Sequence, residues 1–193
     1  MSWLFLGRGL GAAGAIPAGD GVLPALAIDL ERCIGCRACE VHCQVEHDLP
    51  ASVRLLHVRP HPDEPSPGLP IFPLACAHCA EPACQAVCPA AAIRRRPDGV
   101  VLLDPAACIG CRFCIIACPY GAPQWDPERG RVIKCDLCVD RLAQGLWPAC
   151  ATKCSMKAIH FLDAERLGRI LAESGRRGSG ALVLGVGAAE ALR

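Results

Sequence analysis

The fold of this chain is decided by the stretch Cys108-Ile109-Gly110-Cys111-Arg112-Phe113-Cys114-Ile115-Ile116-Ala117-Cys118. Its four cysteines follow the spacing C-x2-C-x2-C-x3-C, which is typical of proteins that bind cubane iron–sulfur clusters. Three thiolates in so tight a loop can reach three iron atoms of one cube, while the fourth ligates a second cube. We therefore expect the clusters to occur in pairs, with the fourth cysteine at the start of a helical turn.

The same pattern occurs 75 residues earlier, and two further groups of four cysteines are variants of it. In chain order, the four quartets are Cys33, Cys36, Cys39, Cys43; Cys76, Cys79, Cys84, Cys88; Cys108, Cys111, Cys114, Cys118; and Cys135, Cys138, Cys150, Cys154. The second quartet has four residues in its middle gap and the fourth quartet has eleven. Four quartets predict four [4Fe–4S] clusters.

Disulfides and structural zinc are the rival uses of so much cysteine. Disulfide frameworks belong to short secreted chains and rarely place so many thiols at C-x2-C spacing. Zinc sites usually combine two C-x2-C pairs that are about a dozen or more residues apart, and the first and third quartets lack that separation. Because the fourth quartet alone would suit zinc, a zinc-organised, non-redox binding scaffold is the alternative from a different functional class.

Composition favours a fold organised by metal over one organised by a large apolar core. Only 4% of the 193 residues are aromatic, and the chain has 19 glycines and 17 prolines. Ligand bonds supply much of the stability of such scaffolds, so we expect no stable fold without iron. The longest basic run, Arg94–Arg96, does not indicate nucleic-acid binding, and no catalytic motif is present that would indicate an enzyme.

The sequence predicts three parts: an N-terminal arm at residues 1–24, a four-cluster domain at 25–162, and a C-terminal helix and docking tail at 163–193. Within the domain, six prolines in residues 57–73 forbid a helix and predict an insertion outside the core. The tail could dock on the protein's own body or on a partner. No uncharged stretch reaches the roughly 18 residues of a spanning helix, and the N-terminus lacks the basic region of a signal peptide.

Short strands are predicted beside the quartets. A strand, tight turn and strand are expected between the second and third quartets, because short runs with apolar residues flank Pro97-Asp98-Gly99. Further strands are expected before the first quartet and after the fourth. The predicted strands cover Leu26–Asp29, Ala92–Arg95, Val100–Asp104 and Ala158–Leu162.

Charged groups near the thiolates are expected to tune the clusters, because a nearby cation favours the more negative, reduced form. The alternative for each cation is a solvent-facing charge. The cations are Arg37, Arg112, Lys134, Lys153 and Lys157. Since every quartet already holds four thiols, the histidines are expected to support the clusters or lie at the surface; they are His42, His47, His57, His61, His78 and His160.

The run Cys108–Gln124 and the run Lys134-Cys135-Asp136-Leu137-Cys138 resemble a known family. It comprises the four-cluster, ferredoxin-like electron-transfer subunits of molybdenum or tungsten bis-pterin enzymes, such as dimethyl sulfoxide, polysulfide and thiosulfate reductases and some formate dehydrogenases. The likeness extends from about Asp29 to Leu162 and fills all sixteen ligand positions. It implies a small α+β fold of two interleaved bacterial-ferredoxin-like units, with short β-hairpins and helical turns around four [4Fe–4S] clusters.

The resemblance also implies a role and partners. The chain would be an electron-transfer subunit without a catalytic site of its own, bound to a large molybdenum or tungsten bis-pterin subunit and to a membrane-anchor subunit or another carrier. It would associate with the membrane through these partners, either in the periplasm after co-export or in the cytoplasm. The alternative within redox proteins is a ferredoxin-like subunit of a hydrogenase or another respiratory complex.

Two pairings of the quartets are open. The 75-residue repeat taken alone suggests tandem pairing, first with second and third with fourth. The family resemblance implies nested pairing, in which the second and third quartets form one unit and the first and fourth form the other. The nested clusters would be Cys33, Cys36, Cys39, Cys154; Cys135, Cys138, Cys150, Cys43; Cys76, Cys79, Cys84, Cys118; and Cys108, Cys111, Cys114, Cys88.

Overall fold

The computed structural model describes residues 25–30, 32–60, 71–162 and 181–185. Over these ranges the helices are α1 (Ala38–Glu46), α2 (Ala83–Ala86), α3 (Phe113–Ala117), α4 (Val139–Ala143) and α5 (Ala149–Thr152). The strands are β1 (Ala25–Asp29), β2 (His57–Pro60), β3 (Ile71–Leu74), β4 (Ile93–Arg95), β5 (Val101–Leu103), β6 (Gln124–Asp126), β7 (Arg131–Ile133), β8 (Ile159–Leu162) and β9 (Ala181–Gly185). The predicted arm at 1–24 and the predicted helix after residue 162 lie outside the described residues.

A three-stranded antiparallel sheet joins distant parts of the chain in the order β8-β1-β9. Leu26 on β1 lies opposite Phe161 on β8 and Leu184 on β9. Because β1 precedes the first quartet and β8 follows the fourth, this sheet holds the two ends of the four-cluster region together. The β9 strand also shows that residues 181–185 of the predicted tail pair with the protein's own body.

Three antiparallel hairpins complete the described strands. The pair β4–β5 is the hairpin predicted between the second and third quartets, with Ile93 opposite Leu103. The pair β6–β7 was not predicted. Its turn begins at Asp126, which is fully buried and accepts hydrogen bonds from the backbone N–H groups of Glu128 and Arg129. The sequence signal was Asp126-Pro127 followed by Gly130, which is typical of a β-turn.

The third hairpin, β2–β3, corrects the interpretation of residues 57–73 as lying wholly outside the core. Val58 on β2 is 6% exposed and belongs to the main hydrophobic cluster, together with Leu26, Ile28 and Phe161. Proline excludes a helix but tolerates the extended backbone of a short strand pair. The two ends of the segment are therefore part of the packed body.

The carboxylate of Glu40 fixes this hairpin to α1. Glu40 is 6% exposed; its Oε1 accepts the backbone N–H of Val58, and its Oε2 lies 3.4 Å from Nε of Arg54. A buried carboxylate requires such partners, since burial of an unpaired charge is costly. Glu40 thus connects the helix of the first quartet to the hairpin.

In each quartet a helix begins one residue before the third cysteine. Cys39, Cys84, Cys114 and Cys150 are each the second residue of a helix, in α1, α2, α3 and α5 respectively. The expectation that the fourth cysteine begins a helical turn was wrong, because that cysteine lies one turn later, inside α1 or beyond the helix end. In α1 the separation of four residues places both thiols on one helix face, and after α2, α3 and α5 the fourth cysteine follows closely on the helix end.

The loops before these helices share a backbone reversal. In every quartet the residue preceding the second cysteine has a positive φ; these residues are Gly35 (68°), His78 (44°), Gly110 (71°) and Leu137 (60°). A left-handed residue turns successive backbone N–H groups toward one side, which creates a concave site for an anion. His78 and Leu137 adopt this conformation without being glycine, and both are almost fully buried.

Loss of the Glu40 carboxylate should destabilise the fold. Glu40→Ala leaves the buried N–H of Val58 without its acceptor, so we expect the free energy of unfolding to fall by about 2 kcal/mol. Anaerobic denaturant unfolding of the cluster-loaded protein measures this change. The matched control on the same helix is Glu46→Ala, which removes a more exposed pair with Arg141 at 2.9 Å and should cost less than about 1 kcal/mol. Equal losses from both variants would contradict the assignment.

A methyl group at Gly110 should disturb the third loop. An added Cβ would lie 3.1 Å from the carbonyl oxygen of Gly130 and 3.3 Å from the ring of Trp125, in addition to the left-handed backbone strain. Gly121→Ala is the matched control, because its φ of 61° imposes similar strain while no atom lies within 4 Å. We expect Gly110→Ala to lower the midpoint of anaerobic unfolding more than Gly121→Ala. Equal midpoints would show that the close approach has no effect.

Candidate iron–sulfur centres

Helix packing brings the cysteine quartets together in pairs. Helix α1 of the first quartet packs against α5 of the fourth, and α2 of the second packs against α3 of the third. Strand pairing shows the same arrangement. β1, which precedes the first quartet, pairs with β8, which follows the fourth, and the two strands between the second and third quartets, β4 and β5, pair with each other. The structure therefore places the first quartet beside the fourth and the second beside the third.

The first loop shares a cavity with the last cysteine of the sequence. Cys33, Cys36, Cys39 and Cys154 line this cavity. Burial raises the pKa of the Cys39 thiol to about 12, and the neighbouring Cys154 and Cys33 thiols add to the rise. The Sγ of Cys154 accepts a hydrogen bond of 3.2 Å from the N–H of Ala158.

The other three loops each lie beside a cysteine from their neighbouring quartet. Burial raises the pKa of Cys150, and Cys138 and Cys43 contribute further. Burial raises the pKa of Cys84 to about 11, with Cys76 and Cys118 adding to the rise.

In the third loop, burial raises the pKa of Cys114, and the additional contributions come from Cys108, Cys111 and Cys88. Each of these thiols thus has thiol neighbours both in its own quartet and in another quartet.

Thiols with raised pKa values occur in all four quartets. In these thiols burial is the first cause of the raised pKa and neighbouring thiols add to it, so the ionised form is disfavoured. Metal binding releases the protons and compensates the negative charges. A cubane cluster is ligated by four thiolates, three from one short loop and one from elsewhere in the chain, and the cysteines of this protein can supply such sets. The residues present therefore fit [4Fe–4S] clusters.

The contacts of His47 and Asp136 with Cys138 were not predicted from the sequence. Nε2 of His47 lies 3.4 Å from Sγ of Cys138 and 3.6 Å from Oδ1 of Asp136, and that Oδ1 accepts the N–H of Cys138 at 2.8 Å. His47, Asp136 and Cys138 could hold a metal ion by themselves. Because Cys138 already belongs to a thiol quartet, His47 and Asp136 are better placed to contact its sulfur and loop.

The cations singled out in the sequence lie in different environments. Arg37, Arg112, Lys153 and Lys157 are exposed, whereas Lys134 is buried. The guanidinium carbon of Arg112 lies 3.7 Å from the ring centroid of Trp125, so this side chain stacks against β6. Lys134 is therefore not a solvent-facing charge, and Arg112 is exposed but packed against an aromatic ring.

Exposed apolar side chains mark the repeated first and third quartets. Ile34 and Ile109 occupy equivalent loop positions and are 62% and 68% exposed. Val41 and Ile116 are also equivalent, and they are 54% and 83% exposed.

Among the described residues, no helix has the length and apolar character needed to cross a membrane.

Comparison with known proteins agrees with this geometry. Residues 68–164 match the family of 4Fe-4S dicluster domains, and residues 26–46 match the 4Fe-4S binding domain. The sequence is 40% identical over 150 residues to the B subunit of the anaerobic dimethyl sulfoxide reductase of Escherichia coli, and the match covers 72% of this protein and 73% of that subunit.

Two further relatives extend the comparison. The thiosulfate reductase electron transfer subunit PhsB of Salmonella typhi is 38% identical, over 73% of this chain and 77% of the relative. The formate dehydrogenase iron-sulfur subunit of Wolinella succinogenes is 35% identical, over 79% of this chain and 88% of the relative. The chain therefore belongs to the 4Fe-4S dicluster family, within the group that includes these reductase and formate dehydrogenase iron–sulfur subunits.

Proposed function

We propose that this chain is the electron-transfer subunit of an oxidoreductase complex. It relays electrons between a molybdenum or tungsten bis-pterin catalytic subunit and a membrane-anchor subunit or another carrier. The observation behind this proposal is that the chain has four groups of four cysteines and that helix packing brings these groups together. The chain is also related to reductase subunits. The substrate reaction belongs to the partner, and the chain has no catalytic role of its own.

The nested assignment of ligands is part of this proposal. The four clusters are held by Cys33, Cys36, Cys39, Cys154 (cluster a); Cys43, Cys135, Cys138, Cys150 (cluster b); Cys76, Cys79, Cys84, Cys118 (cluster c); and Cys88, Cys108, Cys111, Cys114 (cluster d). The packing of α1 on α5 and α2 on α3, together with the β1–β8 pairing, supports it. The inner ferredoxin-like unit is then inserted between the two halves of the outer unit.

The assignment orders the clusters along a line. Cys39 contributes to the raised pKa of both Cys43 and Cys150, so cluster a adjoins cluster b. Cys76 contributes to the raised pKa of Cys135, so cluster b adjoins cluster c. Clusters c and d share the helices α2 and α3. When bound, the clusters supply one-electron carriers, and the chain's own residues fix their order, spacing and exposure to water.

Both ends of this line have exposed apolar residues. Ile34 lies in the loop of cluster a, and Ile109 lies in the loop of cluster d. Exposed apolar groups at interfaces exclude water and bring a partner's cofactor close. We assign the two ends to two different partners, and the chain associates with the membrane through its complex.

Paired substitutions distinguish nested from tandem ligation. In the nested arrangement, Cys36→Ala with Cys154→Ala removes two ligands of one cluster, and the variant keeps about 12 of 16 iron atoms. The matched control, Cys36→Ala with Cys88→Ala, removes ligands of two clusters and keeps about 8. Iron analysis and low-temperature electron paramagnetic resonance (EPR) measure the difference. If the first variant instead kept about 8 iron atoms and the second about 12, the result would establish tandem pairing.

The complete complex tests the electron-transfer role. Affinity purification of this chain from anaerobically grown cells should recover a pterin-containing large subunit, and addition of that enzyme's substrate should oxidise or reduce the clusters. Recovery of a hydrogenase, or of clusters whose oxidation state the partner's substrate does not change, would contradict the proposal. Ile34→Glu and Ile109→Glu should each lose a different partner while retaining all four clusters. Leu146→Glu is the control, since Leu146 is 44% exposed and lies outside both end loops.

A further inference from the structure

His47 ends helix α1 and lies against the loop of the fourth quartet. Its backbone N–H donates a hydrogen bond of 3.2 Å to the carbonyl oxygen of Cys43, at the C-terminal cap of α1. Its ring atom Nε2 lies 3.4 Å from Sγ of Cys138. In the proposed assignment both cysteines ligate cluster b, so His47 reaches the loop of that cluster from the helix that supplies the remote ligand Cys43.

The residues on either side of this histidine fix the end of α1 in position. Glu46 pairs with Arg141 of α4 at 2.9 Å. Arg129, in the turn between β6 and β7, donates hydrogen bonds of 2.8 and 2.9 Å to the backbone carbonyl oxygen and the carboxylate of Asp48. Because both neighbours are anchored, contacts outside its own side chain hold the ring close to Cys138.

The surroundings of Nε2 favour a hydrogen atom on this nitrogen. Besides the sulfur of Cys138, Oδ1 of Asp136 lies 3.6 Å from Nε2, and a carboxylate oxygen is an acceptor only. A thiolate bound to iron has lost its S–H hydrogen and is also an acceptor. A bare Nε2 would direct its lone pair at two electron-rich atoms, whereas a neutral ring with hydrogen on Nε2, or a charged ring, can donate.

The distances select the sulfur as the acceptor. Hydrogen bonds from N–H groups to oxygen span about 2.7–3.2 Å, so the 3.6 Å separation of Nε2 from Oδ1 of Asp136 is too long. That oxygen instead accepts the backbone N–H of Cys138 at 2.8 Å. Sulfur has a larger radius than oxygen, which suits the 3.4 Å contact between His47 and Cys138. The side chain of His47 is only 20% exposed, so little water competes for its N–H.

We propose that His47 is a positioning residue whose Nε2–H group donates a hydrogen bond to the sulfur of Cys138 and thereby raises the reduction potential of cluster b. Reduction adds negative charge to the cluster and its thiolates, and hydrogen bonds to more strongly charged acceptors are stronger. The donor therefore stabilises the reduced form more than the oxidised form. Cluster b lies between clusters a and c in the proposed order, where electrons pass between the two ferredoxin-like units. The inference rests on the proposed ligand assignment.

Three variants test the inference by EPR-monitored redox titration of the anaerobic, cluster-loaded full chain. His47→Ala removes the donor, whereas His47→Gln places an amide N–H group at a similar distance from the backbone. His42→Ala is the matched control, because His42 lies on the same helix and directly precedes a ligand cysteine. Within the described ranges, the ring of His42 makes no hydrogen bond to a cysteine sulfur.

In His47→Ala, we expect the reduced-to-oxidised ratio of one cluster at a fixed potential to fall at least about threefold, which is about 28 mV for one electron at about 59 mV per tenfold change. The other three clusters, and all four clusters in His47→Gln and His42→Ala, should stay within that limit of wild type. Adding His47→Ala to Cys135→Ala, which removes a ligand and with it cluster b, should shift none of the remaining clusters.

Four clusters within that limit in His47→Ala, or an equal shift in His47→Gln or His42→Ala, would overturn the inference. A shift in the Cys135→Ala background would also overturn it, because the affected cluster would not be cluster b. Loss of a cluster from His47→Ala would assign His47 a ligand or structural role and would contradict the proposal as well. The proposed function is judged separately, since wild-type protein without four reducible clusters would refute that function before any variant is compared.

Discussion

The packing of α1 against α5 and of α2 against α3 is the contact on which the remaining structure depends. Each of these helices has a cysteine as its second residue and a further cysteine four residues after that one. In the proposed assignment, pairing two such helices brings a thiol from one quartet to the three-cysteine loop of another. The packing links parts of the chain as distant as Cys39 and Cys154, which line one cavity.

The hydrophobic core of the described residues is built partly from the cysteines. The main hydrophobic cluster includes Cys39 and Cys150 among its buried members, and another cluster includes Cys114. The ligands are thus part of the core, and their raised pKa values show the cost of ionising them there without metal. Cluster binding removes that cost, so folding and metal binding are coupled. Interactions such as Glu40 with Val58 and Arg129 with Asp126 then fix the surrounding hairpins.

Much of this arrangement could be predicted from the sequence, because the chemistry is local. Cysteine spacing alone gave the four quartets, and the turn residues Pro97-Asp98-Gly99 gave the β4–β5 hairpin. The packing of α1 on α5 and of α2 on α3 could not be read from spacing, and the 75-residue repeat taken alone suggested tandem pairing of the quartets.

The remaining differences have physical causes of the same kind. Burial of Val58 depends on its contact with Glu40, 18 residues away in sequence. Lys134 could not be distinguished from four exposed cations, because its burial comes from Val101 on another strand. The left-handed conformations of His78 and Leu137 are imposed by their loops and oppose the residues' own preferences.

The most direct test of this account is metal and sulfide analysis combined with EPR redox titration of the anaerobically purified wild-type chain. The account predicts about 16 iron atoms and 16 sulfides per chain, negligible zinc, and four reducible paramagnetic centres that interact magnetically with their neighbours. A protein that contains zinc in place of iron, or that gives no EPR signal at any applied potential, would contradict it.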